Sequence, residues 1–129
     1  MSNQKTVLIV DDSATSMQFL QYALSNRGYN ILTAFDGVDA LDAIKTYGYP
    51  DLVLTDLDMP RMDGYQLIEA LKSNGYRNPI VVGSSIRFVD LNEDQRKILE
   101  GTTYINDKCD RKEIIITVGR LICDHGSVL

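Results

Sequence analysis

Four of the short apolar runs in this chain end in, or lead into, polar residues that can do chemistry. The first run is followed by Asp11 and Asp12, the third by Asp56 and the fourth by Ser84, and a further run leads to Lys108. Taken singly, an Asp after a strand is more often a turn former or helix cap, and a Lys is usually solvated. Three carboxylates brought together would repel one another without a counter-cation. Their natural occupant would then be a hard divalent ion, which prefers oxygen ligands.

The elements that must position these residues alternate between two hydrophobic periods. A continuous apolar run, typical of a strand buried on both faces, occupies 6–10. Further strands are predicted at 30–34, 52–54 and 80–82, and a weaker fifth strand at 103–105. Between the strands, apolar residues recur at helical spacing. This pattern predicts helices that include 13–24, 38–44, 67–71, 92–100 and 110–122. Asn92 and Gln95 have capping-box spacing. Alternating strands and helices predict a parallel sheet covered on both faces, with ligands at the carboxyl edge of the strands.

The bulk properties are those of an ordinary globular domain. The chain has 129 residues, with 44% hydrophobic and 24% charged, and we expect one domain over 1–129 with a core of about 5–123 and a tail at 124–129. A net charge of −5 argues against direct nucleic-acid binding. Two cysteines make no disulfide framework and favour a reducing, cytoplasmic setting, and no apolar run has the roughly 20 residues that span a membrane.

Several segments together resemble the receiver domains of bacterial two-component response regulators, including the chemotaxis-type single-domain receivers. The matching residues are Val10-Asp11-Asp12-Ser13, Asp36-Gly37, Asp56-Leu57-Asp58-Met59-Pro60-Arg61-Met62-Asp63-Gly64, Ser84 and Lys108. The resemblance covers essentially the whole chain. It implies an α/β fold of the flavodoxin-like type, a doubly wound five-stranded parallel sheet of order 2-1-3-4-5 with five helices.

The resemblance also implies a role for each site residue. Asp56 would accept a phosphoryl group from the phosphohistidine of a sensor histidine kinase or from a phosphotransfer protein. Magnesium would be held by Asp11, Asp12, Asp56 and the backbone carbonyl of Asp58. Ser84 would hydrogen-bond the phosphoryl oxygens, and Lys108 would pair with them. A carboxylate is a competent nucleophile, but both reactants are anionic, which explains the need for Mg²⁺ and a Lys.

Phosphorylation in this family acts as a switch. It shifts the fourth helix, fifth strand and last helix, which form the output face toward a downstream effector. The domain would therefore be a signalling module, catalysing only its own phosphotransfer and autodephosphorylation. Whether the domain forms a homodimer stays open.

Some residues depart from the family pattern. Cys109 follows Lys108 where Pro is usual, and Ile105 stands where the switch aromatic is usual. Tyr104 lies one residue earlier, and a one-residue shift in a strand reverses the face of a side chain. We therefore interpret Tyr104 as packing. The only histidine, His125, is interpreted as a surface residue of the tail.

Other functions compete with the favoured one. A receiver-like binding domain that phosphorylation does not switch is suggested by Cys109 and Ile105, although the complete acidic cluster argues against it. A phosphatase of the haloacid-dehalogenase type is suggested by Asp56-Leu57-Asp58, but that family carries its paired aspartates after the first strand and needs a longer chain. A flavodoxin would need a Ser/Thr-rich phosphate loop after the first strand. The phosphorylated receiver is favoured.

Overall fold

The structure, a computed structural model, describes residues 4–106 and 111–126, apart from the side chains of 111 and 123–126. Its strands are β1 (Thr6–Val10), β2 (Asn30–Ala34), β3 (Leu52–Thr55), β4 (Ile80–Gly83) and β5 (Thr103–Ile105). Its α-helices are α1 (Ala14–Ser25), α2 (Gly37–Tyr47), α3 (Gly64–Ser73), α4 (Glu93–Ile98) and α5 (Arg111–Gly126). The predicted alternation of strands and helices is confirmed.

The five strands form one parallel sheet of order β2-β1-β3-β4-β5. Val10 on β1 aligns with Thr55 on β3, which in turn aligns with Val82 on β4. The residues that follow β1, β3 and β4 are therefore neighbours at one edge of the sheet. This doubly wound α/β fold is the one that the sequence predicted.

The sheet has an apolar core on each face. One cluster of buried residues joins the sheet to α1 and α5, through side chains such as Leu20 and Val118. The other joins it to α2, α3 and α4, through side chains such as Ala40 and Leu67. Burying one aliphatic side chain fully contributes roughly 1.5–3 kcal/mol. The sheet is thus held rigidly from both sides, and the loops at its carboxyl edge stand on a fixed base.

Side-chain caps set where the helices begin. Ser13 accepts a hydrogen bond from the amide of Ser16 at 3.3 Å and so caps α1. Asp63 and Asn92 each form a complete capping box, at α3 and α4 respectively. The predicted capping box at Asn92 is confirmed.

The structure differs from the prediction at a few element ends. The fourth helix was expected over 92–100, but α4 covers only Glu93–Ile98, because Asn92 is its cap and the turn after it leads to Gly101 at φ 84°. A 3₁₀ turn at Phe88–Asp90 precedes it and was not predicted. The helix α5 continues to Gly126, beyond the expected end of the core at 123, so His125 belongs to a helix rather than to a tail. Within the described ranges, no helix has the length and apolar character needed to cross a membrane.

Candidate functional site

The first two acids follow β1 directly. The amide of Asp11 donates to the carbonyl of Ala34 at 3.0 Å, which extends the pairing of β1 with β2. The Asp11 carboxylate is buried and accepts a hydrogen bond from the amide of Ser13 at 2.9 Å. Asp12 is exposed at the rim. One acid is therefore buried and fixed in orientation, while the other is accessible to solvent.

Asp56 follows β3 and lies beside these acids. Its amide donates to the carbonyl of Val10 at 3.0 Å, and one carboxylate oxygen, Oδ1, accepts from the amide of Leu57 at 2.7 Å. The residue is 7% exposed. Gly64, the first residue of α3, lies so close that a Cβ there would stand 2.2 Å from the Asp56 carbonyl oxygen. The glycine thus allows α3 to pack directly against the backbone of Asp56.

The three carboxylates converge. One oxygen from each of Asp11, Asp12 and Asp56 lies within 4.8 Å of the other two. Carboxylate oxygens at this spacing are the donors that Mg²⁺ and Ca²⁺ prefer. The side chain of Asp58 is exposed, and within residues 4–106 and 111–126 no hydrogen-bond donor reaches its carbonyl oxygen. The donor set fits a hard divalent cation.

Ser84 lies at the end of β4 and is 2% exposed. Its amide donates to the carbonyl of Ile105 at 3.1 Å, and its Oγ accepts from the amide of Ile86 at 3.1 Å. The hydroxyl is therefore tied to the loop that leaves β4. Lys108 and Cys109 lie outside the described residues, as does the side chain of His125, and their predicted roles stay predictions.

The aromatic on β5 contributes more than packing. The Tyr104 hydroxyl donates to the carbonyl of Ile86 at 2.5 Å, and its ring meets Phe88 edge to face with centroids 5.3 Å apart. Ile105 is buried on the other face of the sheet with α1 and α5. The predicted reversal of faces between Tyr104 and Ile105 is therefore confirmed. The hydrogen bond to the loop after Ser84 was not foreseen.

Sequence reasoning also missed an ion pair beside the site. Arg61, in the loop between β3 and α3, donates from Nε to Asp36 Oδ2 at 2.7 Å and from Nη2 to Asp36 Oδ1 at 3.1 Å. Its Nη2 also reaches Asp39 Oδ1 at 2.9 Å. The amide of Asp39 and then the Arg61 guanidinium hold the pKa of Asp36 below its ordinary value, and both aspartates raise the pKa of Arg61. No sequence spacing signals this pair, because its members belong to two different loops.

Comparison with known proteins agrees with the geometry. The family model of the response regulator receiver domain matches residues 7–118. The sensor histidine kinase RcsC of Escherichia coli K12 is 33% identical over 112 residues, which are 87% of this chain but 11% of RcsC. The response regulator GtcR of Aneurinibacillus migulanus is 37% identical over 95 residues, 74% of this chain and 36% of GtcR. This chain therefore spans only a minor part of these relatives.

A solved structure gives the same result. The receiver domain of the Francisella response regulator 1452 superposes with a TM-score of 0.81 at 29% identity, covering 95% of this chain and 99% of that one. The superposition depends on the shape of the backbone and the family match depends on the sequence, so the two agree independently. The chain belongs to the response regulator receiver domain family, whose members act in two-component phosphorelay signalling.

Proposed function

We propose that Asp56 accepts a phosphoryl group from a phosphohistidine of a sensor histidine kinase or phosphotransfer protein, with a magnesium ion bound beside it. The observation that carries the proposal is the convergence of Asp11, Asp12 and Asp56, whose carboxylate oxygens lie within 4.8 Å of one another at the carboxyl edge of the sheet. Three carboxylates so close together repel one another, and a bound cation would relieve that repulsion. Membership of the receiver family supports the same chemistry.

Each residue would have a distinct task. A carboxylate oxygen of Asp56 would form the new bond to phosphorus as the bond from phosphorus to the histidine nitrogen breaks. The amide of Leu57, which donates to Oδ1, limits rotation of this carboxylate and so orients it. A bound Mg²⁺ would neutralise charge on the carboxylate and the incoming phosphoryl oxygens. Its ligands would be Asp11, Asp12, Asp56 and the carbonyl of Asp58, and Lys108 would pair with the phosphoryl oxygens.

Ser84 would report the presence of the phosphoryl group. Ser84 follows β4, the neighbour of the strand that leads to Asp56, and its Oγ already accepts from the amide of Ile86. The carbonyl of Ile86 accepts from Tyr104, whose ring contacts Phe88 in the turn before α4. If Ser84 moves toward a phosphoryl oxygen, this series of contacts carries the displacement to α4 and β5. A downstream effector, or a second copy of the chain, would bind the face formed by α4, β5 and α5.

The proposal is tested by intact mass after incubation with acetyl phosphate. Wild type should gain one phosphoryl group in Mg²⁺ and none in EDTA, and Asp56→Asn should gain none while keeping its fold, because Asn is nearly isosteric with Asp. Labelling of Asp56→Asn at the wild-type rate would contradict the assignment of Asp56. A wild type that gains no mass and binds no beryllofluoride would instead favour a receiver-like binding domain that phosphorylation does not switch. Action in the cytoplasm stays a prediction from the sequence.

A further inference from the structure

The loop between β3 and α3 carries Asp58, whose backbone carbonyl is a proposed metal ligand. This loop is fixed at its two ends. At the start, the Leu57 amide donates to Asp56 Oδ1 at 2.7 Å, and the Gly64 amide donates back to the Leu57 carbonyl at 2.9 Å. These contacts close the loop at its base. In the middle of the loop, the Met62 amide donates to the Pro60 carbonyl at 2.6 Å, and Met59 packs against the apolar core. The side of the loop at Arg61 faces α2.

The first turn of α2 holds the far side of the loop. Arg61 makes two hydrogen bonds to the carboxylate of Asp36 and a third to Asp39. The amide of Gly37 donates to the carbonyl of Met62 at 2.9 Å, and a Cβ on Gly37 would stand 2.4 Å from Met62 Cγ. We call these contacts the α2 clamp. The loop and the helix therefore meet at van der Waals distance, with a planar ion pair beside the contact.

The clamp is built on a buried acid. The Asp36 side chain is 3% exposed, although that of Arg61 is 56% exposed. Asp36 also caps α2, since its Oδ1 accepts from the amide of Asp39 at 2.9 Å. A buried carboxylate needs such partners to remain charged. The start of α2 and the middle of the loop thus depend on the same side chain.

Arg61 adopts a backbone conformation that its residue type seldom does. Its φ is 61°, in the left-handed region, and it is the only non-glycine residue with positive φ in the part of the chain that the structure describes. A bulky L residue stays there only when surrounding contacts determine its conformation. The three hydrogen bonds of its guanidinium and the backbone bond from the Met62 amide to the Pro60 carbonyl, which spans Arg61 at 2.6 Å, provide them. The chain thus has an Arg side chain at a position whose backbone conformation glycine would adopt more easily.

From these contacts we propose that Arg61 is a positioning residue, which sets the metal affinity of the acidic cluster by fixing the carbonyl of Asp58 from the α2 side. The proposal rests on the proposed function, because it concerns the same site. Residues that orient a metal ligand without touching the ion typically change metal affinity by roughly 10–100-fold when removed. The α2 clamp is such a support, acting through the backbone of the loop.

Arg61→Gly separates the two effects of the side chain. Glycine adopts positive φ easily, which offsets part of the cost of leaving the buried Asp36 carboxylate without its guanidinium partner. The variant should therefore stay folded in EDTA at room temperature, with an unfolding temperature at or below that of wild type. By calorimetric titration its Kd for Mg²⁺ should rise about tenfold, and labelling by acetyl phosphate should slow at low Mg²⁺ and recover at high Mg²⁺. Exchange of the Gly37 amide with solvent should quicken even without metal. Arg77→Gly, which removes an exposed arginine before β4, is the matched control and should change none of these.

Two more variants make the test specific. Arg61→Lys keeps the charge without the planar fork, and its Kd should lie between those of wild type and Arg61→Gly. In an Asp36→Asn background, where the cap acceptor remains, Arg61→Gly should have a smaller further effect on Mg²⁺ affinity, because the main contact left to lose is the bond to Asp39. Wild-type affinity in Arg61→Gly, or full rescue by Lys, would overturn the proposed role of Arg61. A wild type that neither binds Mg²⁺ nor labels at Asp56 would overturn the proposed function itself.

Discussion

Neutralising Asp12 should make this protein more stable without metal and less stable with it. Asp12 is the exposed member of the acidic cluster, and within the described residues its side chain has no hydrogen-bond partner. Replacing it by Asn therefore removes a charge and no described contact. The expected change in stability therefore comes from the loss of the repulsion between Asp12 and its two neighbours, Asp11 and Asp56.

The magnitude follows from the spacing. Two unit charges at 4.8 Å, the upper limit of the separations in the cluster, repel by about 0.9 kcal/mol at the dielectric constant of water, the value suited to an exposed group. Near a protein surface the repulsion is about four times as large. Two such pairs, reduced by salt, suggest a gain of about 1–2 kcal/mol. For 129 residues, the unfolding entropy is roughly 270 cal/mol/K, so Tm should rise by about 4–7 °C in EDTA.

Bound metal should make wild type more stable than Asp12→Asn, the reverse of the order expected in EDTA. Wild type in Mg²⁺ at about 100 times its Kd gains about 2.7 kcal/mol, or roughly 10 °C. Asp12→Asn should gain much less, because it offers the ion a neutral amide oxygen in place of a charged carboxylate. Thermal unfolding by circular dichroism, in low salt with EDTA and then with Mg²⁺, measures both. Glu69→Gln, which removes an exposed charge on α3, is the control and should shift Tm little in either buffer. An Asp12→Asn protein no more stable than wild type in EDTA would refute the electrostatic argument.

Two further predictions concern the surroundings of the site. Asp36 has a lowered pKa, so its stabilising contribution is complete above its ordinary pKa of 3.8 and is lost as the pH falls below it; acid unfolding of Asp36→Asn should therefore show a shallower pH dependence below about pH 4, and an unchanged slope would contradict this. Gly64→Ala would place a Cβ 2.2 Å from the Asp56 carbonyl oxygen, so the start of α3 must shift. We expect urea unfolding to show a loss of about 2 kcal/mol or more, and wild-type stability would mean that the contact relaxes freely.

The fold was predictable because two signals agree along most of the chain. Runs such as Thr6–Val10 and Leu52–Thr55 are apolar at every position or nearly so, which is typical of strands buried on both faces. The structure buries them between two helical layers. The prediction was weakest where capping and turn geometry decide, as at the short helix Glu93–Ile98 and the turn at Phe88–Asp90.

Part of the site was predictable for a topological reason. In a parallel sheet the residues that follow neighbouring strands meet, and the order implied by the family resemblance makes the first and third strands neighbours. Asp11, Asp12 and Asp56 were therefore expected together, as the structure has them. The pair of Arg61 and Asp36 could not, because it joins two loops whose approach depends on how α2 and α3 pack. Sequence alone gives no distance between such loops.

The two findings fit together physically. The acidic cluster is a region where the folded chain carries unfavourable repulsion, which a bound cation would relieve. Such a region needs support from outside, since its own residues repel one another. The α2 clamp gives this support through the attraction between Arg61 and Asp36, and Arg61 is paired within the clamp and does not neutralise the acidic cluster. The site can thus hold its shape without neutralisation of its carboxylates, so loss of the clamp should weaken metal affinity even in variants that stay folded.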